Sequence, residues 1–73
     1  MLRAKLIANI PVERFRSLDG SIPKKGDIIA VDQGFTFPNG EPGCLVYGID
    51  EDGDYRYEAE VYEEEIGDDI WGS

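Results

Sequence analysis

The feature that most constrains this chain is an Asp-Gly pair, Asp52-Gly53, set between two apolar-rich runs. Cys44-Leu45-Val46-Tyr47-Gly48-Ile49 leads into the loop Asp50-Glu51-Asp52-Gly53-Asp54, and Tyr55-Arg56-Tyr57-Glu58-Ala59-Glu60-Val61-Tyr62 leads away from it. That pattern is a strong short-range hairpin signal. The stretch from Cys44 to Ile66 is therefore read as one acidic β-hairpin. Two registers compete. A two-residue loop sets Leu45, Tyr47 and Ile49 opposite Glu60, Glu58 and Arg56, which mixes core with charge. A three-residue loop, Glu51-Asp52-Gly53 with Gly53 left-handed, sets Ile49 opposite Tyr55, Tyr47 opposite Tyr57 and Leu45 opposite Ala59. A slip of one residue turns every side chain over, so burial favours the three-residue loop. It predicts an oily face continued by Val61, and an outer face carrying Val46, Arg56, Glu58, Glu60 and Tyr62.

Charge is the next constraint. Residues 1–31 carry six cations against three acids, a balance of +3, while residues 32–73 carry only Arg56 against 13 acids, a balance of −12. Eleven of those acids fall within residues 50–69. Phosphate contact needs clustered cations, so direct nucleic-acid binding is not expected, nor is an anionic membrane surface. The excess points to a basic protein partner, or simply to solubility. Seventy-three residues set a single small β domain as the expectation, with roughly 60% of the unfolded surface buried. No apolar run approaches the roughly 18 residues of a membrane span. Met1-Leu2-Arg3-Ala4-Lys5-Leu6 lacks the apolar stretch of a secretory signal. The one cysteine, Cys44, rules out an internal disulfide framework and fits a cytoplasmic setting. It is read as a small hydrophobe.

Taken in order, residues 3–10 alternate as a strand, with Ala4, Leu6, Ala8 and Ile10 on one side. Val12, Phe15 and Leu18 recur every third residue between Pro11 and Gly20, which predicts one short helix or 3₁₀ turn near the N-terminus, with an extended connection as the competitor. The turn Ser21-Ile22-Pro23-Lys24-Lys25-Gly26-Asp27 delivers Ile28-Ile29-Ala30-Val31, the expected central strand. Such a lysine-glycine-aspartate turn, feeding a β-branched run, resembles the start of small SH3-like barrels. Phe35-Thr36-Phe37 and a Pro/Gly-rich loop, residues 38–43, lead to the hairpin. The acidic tail, residues 67–73, either docks through Trp71 or stays free.

Chemistry is thinly provided for. There is no histidine, hence no usual general base or zinc ligand. None of Ser17, Ser21 or Ser73 has an identifiable base, and a useful pocket is hard to build from so few residues. Calcium is weighed at the acidic loop. An EF-hand loop wants Gly at position six and Glu at twelve. Starting at Asp50 gives Tyr55 and Val61 there, and starting at Asp52 gives Tyr57 and Glu63. No metal, cofactor or catalytic residue is assigned. The candidate partner-binding residues are Asp50, Asp52, Asp54, Glu58, Glu60 and Tyr62. Carboxylates at two-residue spacing stand about 6.5–7 Å apart on one strand face and can engage Lys and Arg, with Tyr62 as an anchor. The competing reading is a hydrated outer face whose charges block aggregation.

The second half, Leu45-Val46-Tyr47 through Glu58-Ala59-Glu60-Val61-Tyr62-Glu63-Glu64-Glu65-Ile66, resembles the C-terminal hairpins of small acidic bacterial immunity proteins of polymorphic-toxin systems. The resemblance implies non-catalytic inhibition of a cognate toxin. The expected fold is mostly β: a small antiparallel sheet or SH3-like open barrel of four to five strands, with one short helix. The expected function is a non-enzymatic acidic inhibitor of immunity or antitoxin type that covers a basic surface. The alternative is a small accessory subunit of a larger complex, with homodimerisation as its variant.

Overall fold

A computed structural model describes residues 2–72. The chain is mostly β, with six strands: β1 (Leu2–Lys5), β2 (Phe15–Ser17), β3 (Ile28–Thr36), β4 (Pro42–Ile49), β5 (Tyr55–Tyr62) and β6 (Trp71–Gly72). All pairings are antiparallel, in the order β2-β5-β4-β3-β1-β6, and the sheet does not close. The expected central strand is central, and it runs on through Phe35 to Thr36. The strand count exceeds the expected four to five because β2 and β6, of three and two residues, are too short to announce themselves. Trp71 pairs with Arg3 along the β1 edge.

Of the two forms expected near the N-terminus, a short helix or a 3₁₀ turn, the structure has the turn. It spans Val12–Arg14 and is closed by the Arg14 N–H donating to the Pro11 carbonyl at 3.0 Å. The three-residue periodicity did not mark a buried face: Val12 is 75% exposed and Leu18 48%. Phe15 instead enters an extended strand opposite Ala59, where the free edge of β5 satisfies its backbone.

The hairpin uses both registers. At the tip, Ile49 faces Tyr55, and Glu51-Asp52-Gly53 forms the three-residue loop with Gly53 at φ 84°, a conformation glycine adopts without strain. One residue later Arg56 is left out of the ladder. From there Gly48 faces Tyr57, Tyr47 faces Glu58, Val46 faces Ala59 and Leu45 faces Glu60. This is a β-bulge, which inserts one residue and reverses the faces beyond it. Val46, expected outside, is fully buried, whereas Tyr47 and Leu45, expected inside, stand half-buried on the outer face. Tyr57, Ala59 and Val61 point inward as expected. The reason lies at Gly48. The Tyr57 ring lies over it so closely that a β-carbon there would overlap ring atoms Cε2 and Cζ. The large ring thus fills the space that a missing side chain leaves. The Tyr57 hydroxyl then donates to Asp27 Oδ2 at 2.9 Å, and the same carboxylate oxygen accepts the Lys24 N–H at 3.1 Å. A second shift in β3, between Val31 and Gln33, flanks β4 on its other side.

Two segments join opposite edges of the sheet: residues 6–14 run from β1 to β2, and residues 63–70 run from β5 to β6. Leu6, Ile10 and Ile66, from these segments, pack with Ile29, Val46, Tyr57, Ala59 and Val61. Both segments therefore cross the core-facing side and roof it. They are joined to each other. Leu6 bridges Ile66, and Ile7 N–H donates to the Glu65 carbonyl at 2.9 Å. Arg14 Nη1 and Nη2 donate to Glu65 Oε1 and Oε2 at 2.7 and 2.9 Å. Glu65 Oε1 also accepts the Tyr62 N–H at 2.8 Å, which fixes a second 3₁₀ turn, Glu63–Glu65. The Arg14–Glu65 ion pair adds a side-chain latch to these backbone bonds.

Candidate functional site

Glu58, Glu60 and Tyr62 alternate along the outer face of β5, as anticipated, because Tyr57, Ala59 and Val61 take the inner one. The loop acids stand at the strand's opposite end from Tyr62. At about 3.3 Å of rise per residue, the row from Asp54 to Tyr62 is roughly 25 Å long. Carboxylate oxygens of Asp50, Asp52 and Asp54 lie within 4.8 Å of one another, and all three residues are exposed. Asp50 is also a structural acceptor. Its Oδ1 takes the N–H groups of Asp52 and Asp54, both at 2.9 Å, and holds the loop in shape.

The row is not uniformly free. Glu58 Oε1 accepts Arg16 Nε at 3.1 Å across the β2–β5 pair. The Glu60 side chain is exposed, while its backbone carbonyl accepts Arg14 Nη1 at 3.2 Å. Tyr62 is half-buried: its ring stacks on Phe37 with centroids 4.1 Å apart, and the Arg14 guanidinium lies 4.8 Å from its centroid. Its hydroxyl accepts Asn39 Nδ2 at 3.2 Å. Preorganised in this way, Tyr62 offers a hydroxyl edge rather than a free ring.

Between β2 and the Glu58–Glu60 row lies an open depression of about 340 Å³ with Arg14, Arg16, Leu45, Glu58 and Glu60 in its lining. Charges of both signs meet there. The uncompensated acid concentrates instead at the loop and at Glu60. Sequence reasoning missed three contributors to this surface. Tyr47 and Tyr55 stack at 4.4 Å with planes 11° apart, beside Glu58. Arg16 was missed as the partner of Glu58. A signal for it existed: Arg14 and Arg16 repeat at the spacing of Glu58 and Glu60, as charges on two paired strands do.

Of the titratable groups that depart from their ordinary values, Glu65, Tyr57 and Cys44 bear on the packing described above. Arg14 hydrogen bonding, against a smaller opposing effect of burial, holds the Glu65 carboxyl below the usual range. Burial, aided by the hydrogen bond to Asp27, pushes the Tyr57 phenol well up. Burial, with Glu63 nearby, raises the Cys44 thiol, so no thiolate is favoured at neutral pH.

The chain matches no protein-family model, no curated protein and no solved structure. No helix among the described residues is long and apolar enough to cross a membrane.

Proposed function

We propose that this chain is a non-enzymatic, acidic protein-binding module that covers a basic surface of a partner, most concretely an inhibitor of the immunity or antitoxin type acting in the cytoplasm. The observation that supports this is the row running from Asp50, Asp52 and Asp54 through Glu58 and Glu60 to Tyr62. Glu58, Glu60 and Tyr62 share the outer face of β5 and the loop acids stand at its far end, so that the row is roughly 25 Å long. A rigid sheet presents these groups at fixed spacing, so a partner's Lys and Arg side chains meet a preorganised field. The stacked Tyr47–Tyr55 pair adds apolar area beside the charges. We read the sheet, with its lysine-glycine-aspartate turn into β3, as a variation on the SH3-like open barrel.

The test is affinity capture with mass-spectrometric identification, repeated with Asp54→Lys, Glu58→Lys and Glu60→Lys combined. The wild-type chain should retain a basic protein and the triple variant should lose it. Retention should also weaken as salt approaches about 1 M, where the screening length is about 3 Å. Capture that survives both changes removes this surface from consideration.

A further inference from the structure

The core-facing side of the sheet is not fully roofed. Where the crossover of residues 63–70 leaves β5 for the far edge, an apolar groove of about 380 Å³ stays open. Val31 and Cys44 line it from β3 and β4, both half-buried, and Gly34, opposite Cys44 in the ladder, contributes no side chain. Leu2 and Ile70 stand at its sides, 53% and 54% exposed, with Ile66 between the groove and the core. The charged residues in the lining are Glu63 and Asp68, both exposed, each followed by a second acid, Glu64 and Asp69. Among the described residues no cation lines the groove.

We infer that this groove receives an aliphatic side chain carried on a basic segment of a partner protein. An apolar slot whose charged rim, among the described residues, consists of carboxylates selects a ligand that buries hydrocarbon and brings flanking Lys or Arg to the rim. The same rim disfavours a second copy of this chain, which would bring Glu63 and Asp68 against like charge. The segment would be extended. β1 pairs with β3 only as far as Val31, so the Asp32–Thr36 stretch of β3 has no strand beside it on that edge among the described residues. A strand laid there would turn alternate side chains into the groove. This surface lies on the opposite side of the sheet from the Glu58–Glu60 row, and the inference does not rest on the reading of that row.

Cys44, the single cysteine, reports on occupancy. Its alkylation by N-ethylmaleimide would be timed with the full chain, alone and with three short synthetic peptides. One alternates lysine with leucine, one lysine with serine, and one glutamate with leucine. The lysine–leucine peptide should slow the reaction at least tenfold at saturation, and the other two by less than twofold. Ile70→Asp and Leu2→Asp, both at exposed positions, should abolish that protection while leaving the unfolding temperature in place. Equal protection by the lysine–serine peptide would reduce the effect to charge and overturn the inference. Equal protection by the glutamate–leucine peptide would overturn it from the other side, as would no protection by any peptide. Alkylation that slows with protein concentration alone would assign the groove to a second copy and reject the basic segment.

Discussion

Replacing Arg14 with Met tests whether one ion pair holds the two crossovers together. The side chains of Arg14 and Glu65 are only 18% and 13% exposed, so the pair is shielded far better than an ordinary surface salt bridge. Two parallel charge-assisted hydrogen bonds are lost, and Glu65 keeps a single donor, the Tyr62 N–H. Hydrogen bonds to charged groups contribute about 1.5–3 kcal/mol, and stripping one partner from a fully buried pair costs about 3–5 kcal/mol. Partial burial puts Arg14→Met at about 2–3 kcal/mol. A chain of this size has roughly 4–11 kcal/mol in total. The unfolding midpoint should therefore fall by roughly 10–20 °C. A double-mutant cycle with Glu65→Gln isolates the pair from the Arg14 packing on Tyr62, and the coupling at pH 7 should be about 1.5–2.5 kcal/mol. Its pH dependence has a definite sign. The Glu65 carboxyl is held down in the folded chain, so its contribution is complete above the unfolded value of about 4.3. That contribution fades as pH falls through the lower folded value. Urea titrations of the four proteins at pH 7 and in strong acid measure both quantities. A coupling below about 0.5 kcal/mol at pH 7, or one undiminished in acid, would refute the latch.

Gly48→Ala should destabilise by about 1–3 kcal/mol or more through overpacking against the Tyr57 ring, and Gly48→Val should cost more still; urea midpoints order the two. Tyr57→Phe should cost about 1–2 kcal/mol, because Asp27 loses one donor but keeps the Lys24 N–H. In an alkaline titration followed at 295 nm, the Tyr57 phenol should ionise only with unfolding, and its absorbance step should vanish in Tyr57→Phe. Arg16→Ala should change stability by less than about 0.5 kcal/mol, since its guanidinium is largely solvated. A larger loss would make the Arg16–Glu58 pair a structural element of β2.

How much of this was legible depends on whether a residue's neighbours were local. The Glu51-Asp52-Gly53 loop was readable because turn chemistry is local, and Ile29 was readable as core because a β-branched run signals a buried strand. The body of the hairpin was not. Leu45 and Tyr47 look like better core than Cys44, Val46 and Gly48, and the Tyr57 ring over Gly48 reverses that preference, while Ile49, on the tip side of the bulge, stays buried. Strands β2 and β6 draw their stability from partners 40 or more residues away in sequence, which no window along the chain contains. The alternating face of Glu58 and Glu60 was legible from the period of two. Their cations were not, because Arg14 and Arg16 were assigned to a helical stretch. The roof was invisible for a related reason: Arg14 and Glu65 are 51 positions apart.

The extra residue at Arg56 makes the hairpin sensitive to length more than to composition. Exchanging Arg56 for another polar side chain leaves the parity of everything downstream intact. Deleting it while the loop kept its shape would send Tyr57, Ala59 and Val61 to solvent and turn Glu58 and Glu60 towards the hydrocarbon interior. Variation in such a chain should therefore accept substitutions at this position, at the cost of its contacts with Ser21 and the Tyr57 ring, far more readily than a frame-preserving codon loss.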